Sequence, residues 1–342
     1  MRLAYKSVGS GAPGRSARLD ELPPPPKGRS GWPWDATAPS PTSIKDLPLI
    51  SVVTPSFNQG RFLEETIRSV LLQSYPNLEY FVMDGGSTDE SLAILKKYEP
   101  WLTGWESKPD RGQPHAINKG IERSSGSLLA LINSDDLLMP GALLAAGAAH
   151  IHSPHSLIAG DVLDFRESDI LRQVHQSGLE FETFIRIWRQ PQWHQPGIFI
   201  PRELFAKLGT FDESQQFGFD YEFMCRALES TNVLFLDIPV AMFRLHELSK
   251  TGSDDALIER EHIHTARTFW HKFGASDRAS YKRYKAEQLF RAGCSRLIHG
   301  RKHGVQLILE GFGAHPLWAI AYAARQAPRW IRARSGHPPV SC

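Results

Sequence analysis

From Leu49 onward the chain alternates short apolar runs with longer amphipathic stretches, and this alternation restricts the fold more than any other feature. Ile50 to Val53 reads as a buried strand. Phe62, Leu63, Ile67, Val70 and Leu71 then recur at helical spacing until Tyr75-Pro76-Asn77 stops the helix. Leu78 to Met83 forms a second strand, and Ser87 with Glu90 three residues on has the pattern of a capping box for a helix reaching about Tyr98. A strand over Leu102 to Glu106, a helix opened by Pro114, a strand over Leu128 to Ile132 and an Ala-rich helix starting at Pro140 follow. This order predicts an α/β fold with a parallel sheet covered on both faces. Ligands of such sheets bind beyond the carboxyl ends of the strands.

The polar residues fall at those ends. Thr54-Pro55-Ser56 follows the first strand, Asp84-Gly85-Gly86-Ser87-Thr88-Asp89 the second, Asp110-Arg111-Gly112-Gln113 the third and Asn133-Ser134-Asp135-Asp136 the fourth. Asp84 before two glycines offers a carboxylate acceptor in a loop that a flat ligand such as a nucleoside can approach, or else a turn in which Asp and Gly act only on the backbone. Asp135 and Asp136 repel each other unless a cation or hydrogen bonds offset their charge. A divalent ion bridging carboxylates to substrate phosphates is one solution, and stabilisation at the N-terminus of the following helix is the other.

Ile50-Ser51-Val52-Val53-Thr54-Pro55-Ser56-Phe57-Asn58, the Asp84 to Asp89 loop and Asn133 to Asp136 resemble, in order, the motifs of family 2 glycosyltransferases, with the resemblance running from about Pro48 to Lys250. The resemblance implies a GT-A fold, whose mostly parallel nucleotide-binding sheet is flanked by helices, and inverting transfer from a nucleotide-diphosphate sugar. It places the donor at Thr54, Pro55, Ser56, Asn58, Asp84, Gly85, Asp110, Asn133 and Ser134, and a Mn2+ or Mg2+ ion at Asp135 and Asp136. This chain has Asn133 where the metal motif usually begins with Asp.

Inverting transfer needs a base to accept the proton of the attacking hydroxyl. Phe217 to Arg226 resembles the segment that supplies it, which gives that role to Asp220; without the resemblance, Asp220 reads as a helix cap. Glu222 shares a site with Asp220 only if the helix begins between them, because two helical positions differ by about 200°. Trp193, His194 and Gln195 resemble the acceptor-side stretch, with core packing as the alternative, and Glu222 joins that set. His246, in a segment resembling a loop that closes over the diphosphate, is a further metal or phosphate ligand candidate, or a structural histidine.

Residues 1–46 are rich in Pro, Gly and Ser and predict an irregular extension, in which Trp32 and Trp34 dock on the body because two indoles are costly to leave in water. Residues 47–252 are the expected catalytic domain and 253–342 a helical appendage. From Asp255 to Cys342 there are 15 Lys/Arg against 6 Asp/Glu, so a chain of net charge +2 carries its excess at this end. Leu317 to Ala324 is apolar and Arg325, Arg329, Arg332 and Arg334 follow, a pattern that fits a peripheral contact with the inner membrane surface or a helical cap on the core. Three scattered cysteines support neither a disulfide framework nor a zinc site. With no apolar run at Met1 to Gly14 and none of about 20 residues elsewhere, the reading is cytoplasmic.

The expected partners are a nucleotide-diphosphate sugar and a glycan or lipid-linked glycan, not nucleic acid. A non-catalytic nucleotide- or glycan-binding scaffold is the rival of another class. A sugar nucleotidyltransferase would need a glycine-rich, basic first loop, whereas Thr54 to Gly60 has one glycine and is followed by Arg61.

Overall fold

The computed structural model describes residues 16–39, 46–189, 192–247, 255–298 and 302–321. The segments Met1 to Gly14 and Arg325 to Arg334, for which the sequence carries expectations, lie outside these residues. The chain divides into two compact units, the first comprising residues 1–184 and 191–247, the second residues 185–190 and 248–342.

In the first unit β1 (Ile50–Ser56), α1 (Gly60–Leu71), β2 (Leu78–Asp84), α2 (Ser91–Tyr98), β3 (Gly104–Ser107), α3 (Gln113–Arg123) and β4 (Leu128–Leu131) follow the predicted alternation. Then come β5 (Leu137–Leu138), α4 (Ala142–His152), β6 (Leu157–Arg166), β7 (Asp169–Val174), α5 (Phe181–Phe184), β8 (Ile198–Pro201), α6 (Arg202–Leu208), α7 (Phe219–Ser230) and β9 (Val233–Arg244). The sheet order is β3-β2-β1-β4-β8-β6-β9-β5, with β7 paired to β6. Strands β1 to β4 are mutually parallel, as are β6 and β9, whereas β8, β7 and β5 run antiparallel to their neighbours.

The local sequence explains the central strands. Every residue of β1 and β2 is buried, as a strand covered on both faces requires. Pro55, which has no N–H to donate, is tolerated because the β1–β4 ladder ends at Val53 opposite Leu131. The expected capping box at Ser87 and Glu90 does not form: α2 begins at Ser91, whose N–H donates to Asp89 Oδ1 at 3.0 Å. The hydroxyl of Ser87 is instead taken by Asp84.

Residues 16–39 fold back onto α1, and both tryptophans dock as their cost of exposure requires. Trp34 is 4% exposed, and Trp32 Nε1 donates to the Leu138 carbonyl at 2.8 Å. Arg68, fully buried in α1, clasps this arm. Its guanidinium donates to the carbonyls of Pro33 at 3.1 Å, Pro23 at 2.8 Å and Trp34 at 2.8 Å, and to Tyr98 Oη at 3.1 Å. Tyr98 Oη in turn donates to Glu64 Oε1 at 2.9 Å, so the cation reaches an acid through a neutral hydroxyl.

In the second unit α8 (Asp255–Thr268), α9 (Ala275–Ile298) and α10 (Gly304–Ala314) enclose a core of Ile263, Ala266, Tyr281, Leu289, Ala292 and Leu307. Trp188 packs on its edge, and Arg186 pairs with Asp277 at 2.9 Å. Among the described residues no helix is long and apolar enough to cross a membrane.

Replacing Arg68 with Met removes the cation and leaves the three arm carbonyls without their donor. The expected outcome is a loss of about 3–5 kcal/mol in urea-induced unfolding, the range for breaking a buried charged network. Proteolysis of residues 16–39 should also quicken.

Candidate active site

Because β1 to β4 are parallel, the loops that leave them open on one rim. Thr54, Pro55 and Ser56 end β1 and are buried. Thr54 Oγ1 lies 3.0 Å from Tyr80 Oη, and the buried Ser56 hydroxyl has no partner. Asn58, with a φ of 52°, stitches the first loop to the second. Its N–H donates to Ser87 Oγ at 2.7 Å, and its Oδ1 accepts from the Thr88 N–H at 2.9 Å. Between them Phe57 stands 61% exposed, an aromatic face on the rim to which the sequence reading gave no role.

Asp84 is fully buried, and its carboxylate shapes the loop from within. Oδ2 accepts from the N–H groups of Gly86 at 3.1 Å and Ser87 at 2.9 Å, and from the Ser107 hydroxyl at 2.6 Å. Gly85 lies against Asp110, where a Cβ would stand 3.0 Å from Asp110 Oδ2 and would crowd that carboxylate. Asp110 is half-buried, and its Oδ1 accepts from the Gly112 N–H at 2.8 Å.

Gln113 carries the connection to the fourth loop. Its Nε2 donates to Asn133 Oδ1 at 2.8 Å, and Asn133 Nδ2 donates to Asp136 Oδ2 at 3.0 Å. Asp136 Oδ1 accepts from the Arg244 N–H at 3.0 Å, so both oxygens of this residue, 1% exposed, are engaged. Burial, reinforced by the charge of Asp135, pushes the Asp136 carboxyl well above the usual range. Asp136, expected as a metal ligand, has each of its oxygens hydrogen-bonded, one by Asn133 and the other by Arg244. The Ser134 and Asp136 carbonyls are fixed by the Thr66 hydroxyl at 2.9 and 2.8 Å.

Arg244, at the end of β9, locks this loop from the other side. Its Nε donates to the Asp135 carbonyl at 2.7 Å and its Nη2 pairs with Glu65 at 2.9 Å, while the guanidinium lies between the rings of Phe62 and Phe165. Two residues on, His246 Nε2 lies 2.9 Å from Asp135 Oδ2, and its ring rests 4.6 Å from that of Phe62. His246 Nδ1 is buried without a partner.

Asp135 and His246 thus converge as one oxygen and one nitrogen donor. Among the described residues no three His, Cys, Asp or Glu side chains form a complete metal cage. Two converging protein donors fit a cation that takes its remaining ligands from a diphosphate and water.

The segment before α7 is strapped to the third loop. Arg111 pairs with Glu213, Gln216 Nε2 donates to the Arg111 carbonyl at 3.1 Å, and Asn118 and Phe211 exchange hydrogen bonds of 2.9 and 3.1 Å. Asp220 lies in the first turn of α7, with Oδ1 accepting from the Tyr221 N–H at 2.7 Å. Since α7 begins at Phe219, Glu222 points about 200° away from Asp220. It makes a two-pronged pair with Arg226, both bonds 2.7 Å long. The structure does not bring Glu222 to the acceptor set.

Gln195 is likewise spent on the scaffold, donating to the Leu131 carbonyl at 2.8 Å. Trp193 meets the edge of Phe184 at 5.1 Å, and Phe184 lies 5.3 Å from Tyr221, an aromatic bridge from the predicted acceptor segment to the start of α7. His194 stacks on Phe243 at 4.3 Å, with Nε2 2.8 Å from Asp164 Oδ1 but off the line of a good hydrogen bond. Burial draws the His194 pKa below the ordinary imidazole value, and the Asp164 carboxylate pulls it back only in part. Asp164, fully buried and paired with Arg172, was absent from the sequence-based set because it interrupts an apolar run.

Arg244→Met removes the clamp on the Asp135 carbonyl and leaves the half-buried Glu65 without its cation. A loss of about 3–5 kcal/mol is expected in urea unfolding. A change below about 1 kcal/mol would mean that the fourth loop holds itself.

Comparison with known proteins identifies the family. The family described as "Glycosyl transferase family 2" matches residues 51–210. An uncharacterized glycosyltransferase of Mycobacterium tuberculosis is 33% identical over 183 residues, 53% of this chain and 69% of the relative. A PGL/p-HBAD biosynthesis glycosyltransferase of Mycobacterium bovis is 27% identical over 222 residues, 63% of this chain and 83% of that protein. Among solved structures, residues 1–349 of S. aureus TarS, in complex with UDP-GlcNAc, superpose with a TM-score of 0.55 at 16% identity, covering 82% of this chain and 92% of that one. That last likeness speaks to the fold. Sequence kinship and the shared sheet together make this chain a GT-A-fold glycosyltransferase that belongs to glycosyl transferase family 2.

Proposed function

We propose that residues 47–252 transfer a sugar, with inversion, from a nucleotide-diphosphate donor to a hydroxyl of a glycan or lipid-linked glycan. The observation that carries the reading is a series of links along the rim: Asn58 to Ser87 and Ser87 to Asp84, Gly85 beside Asp110, Gln113 to Asn133, Asn133 to Asp136, and Asp135 to His246. A nucleoside joined to a diphosphate carries chemistry suited to both ends.

In this reading Asp110 and the backbone around Gly85 receive the nucleoside, and the exposed ring of Phe57 offers its base a stacking face. Ser56, with its unpartnered hydroxyl, and Asn133 stand along the path between base and diphosphate. Thr54 and Asp84, whose polar atoms are already satisfied, act by shaping the loops.

Asp135 and His246 would hold Mn2+ or Mg2+, and the ion, when bound, supplies electrostatic stabilisation to the departing diphosphate. Asp220 takes the proton of the attacking hydroxyl at its carboxylate. Its place in the first turn of α7, tied by Gln216 to the third loop and by Tyr221 and Phe184 to Trp193, supports that role. Trp193 and His194 then remain to meet the acceptor.

The test is release of nucleoside diphosphate from a panel of UDP-, GDP- and dTDP-sugars, with Mn2+ or with chelator, alongside donor affinity by calorimetry. Asp220→Asn should slow release at least about 100-fold with donor affinity unchanged within about twofold, since a base acts on chemistry and not on ground-state binding. Normal turnover by that variant would remove Asp220 from the role. Asp135→Ala should weaken donor binding in Mn2+ to the level of the parent in chelator, and equal parental affinity with and without metal would contradict a metal-bridged diphosphate. Phe57→Ala should weaken donor binding about tenfold in either condition, in line with about 1–3 kcal/mol for stacking one base on an aromatic ring.

A further inference from the structure

The last described stretch of the second unit leaves an unusual amount of apolar surface in water. Eleven large apolar side chains are well exposed among the described residues, and five of them, Leu297, Val305, Leu309, Leu317 and Ile320, fall within residues 297–320 at 48–79% exposure. This is too dense a cluster for scattered surface hydrophobics.

The packing of α10 explains why the face stays open. The helix buries Gly304, Leu307 and Gly311, and its backbone sits close on α9: a Cβ on Gly293 would lie 2.7 Å from the Gly304 carbonyl oxygen. Val305 and Leu309, one turn apart, remain exposed, and Leu297 abuts Gly304 beside them. Beyond His315, Trp318 and Ala319 are buried with Ala286 and Phe290, while Leu317 and Ile320 stay outside. The exposed side of α10 thus carries an apolar stripe, Val305 and Leu309, beside the polar Gln306 and Glu310, and such a stripe suits a second apolar environment.

Charge selects that environment. From Arg296 to Cys342 the sequence holds seven Lys/Arg and a single acid, Glu310, which already pairs with Arg260 at 3.3 Å. Four of the seven, Arg325, Arg329, Arg332 and Arg334, follow directly after the described residues. A second copy of this chain would set two such basic segments against each other, whereas an anionic bilayer meets both needs with acyl chains for the leucines and headgroup phosphates for the arginines.

We propose that the face formed by Leu297, Val305, Leu309, Leu317 and Ile320 is a docking surface for an anionic lipid bilayer, with the basic C-terminal segment meeting the headgroups. The proposal does not depend on the catalytic reading.

The full chain is sedimented with vesicles of phosphatidylcholine alone and with vesicles holding about 30% phosphatidylglycerol, at low and high salt. It should pellet with the anionic vesicles at low salt, and much less with the neutral ones or at high salt. The double variant Leu309→Glu with Leu317→Glu, both surface positions, should lower the bound fraction at least about fivefold while thermal unfolding and donor hydrolysis match the parent. Failure of the parent to pellet with anionic vesicles, or equal pelleting by the double variant, overturns the proposal. So does a dimer of the parent, seen by light scattering without lipid, that the double variant abolishes, since the face would then belong to a second copy.

Discussion

Arg244 is the residue on which the candidate site most depends. Its backbone N–H satisfies one oxygen of the buried Asp136, its Nε holds the Asp135 carbonyl, and its Nη2 neutralises Glu65 from α1. A guanidinium can do this because it presents several donors in one rigid plane and tolerates aromatic rings on its faces, here Phe62 and Phe165. The result is a loop with two adjacent acids in which one is locked inside and the other faces His246. The local repulsion noted in the sequence persists in the fold, where it adds to burial in raising the Asp136 carboxyl, while the hydrogen bonds from Arg244 and Asn133 oppose it.

The same logic extends around the rim. Each loop after a parallel strand is short and polar, and each is tied to the next by one or two side-chain hydrogen bonds: Asn58 to Thr88, Gln113 to Asn133, Gln216 to Arg111. Individually such bonds contribute about 1 kcal/mol, and together they hold the loops against one another. Behind the rim, Arg68 plays a comparable part by pinning the proline-rich arm to α1.

Where the physics is local, the sequence was legible. The continuous apolar runs of β1, β2 and β4 announced buried strands, and the polar loops at their ends marked the site. β6 and β7 were not anticipated, because Asp161, Asp164 and Arg166 interrupt the apolar pattern and find their partners only in the folded hairpin. β9 runs to Arg244 past Asp237 and Pro239, which break its apolar pattern, and register shifts opposite Gly160 to Val162 absorb the break. Ser87 and Glu90 matched a capping box, yet a buried carboxylate at Asp84 competed for the serine. The partners of Asp136 and Glu222 were not legible: one is distant in sequence and the other one helical turn away. Phe57 was visible in the sequence, but its exposure was not.

The central claim is that a single rim binds one nucleoside diphosphate end to end, with a cation at the Asp135 and His246 end and the base at the Phe57 end. Crystals grown with UDP and Mn2+, measured at the manganese absorption edge, test it most directly. One anomalous peak bridged by Asp135 and His246, with the base lying over Phe57 on the same continuous ligand, is the predicted outcome. A metal held by other residues, or a nucleotide bound away from the loops after β1 to β4, would contradict the account.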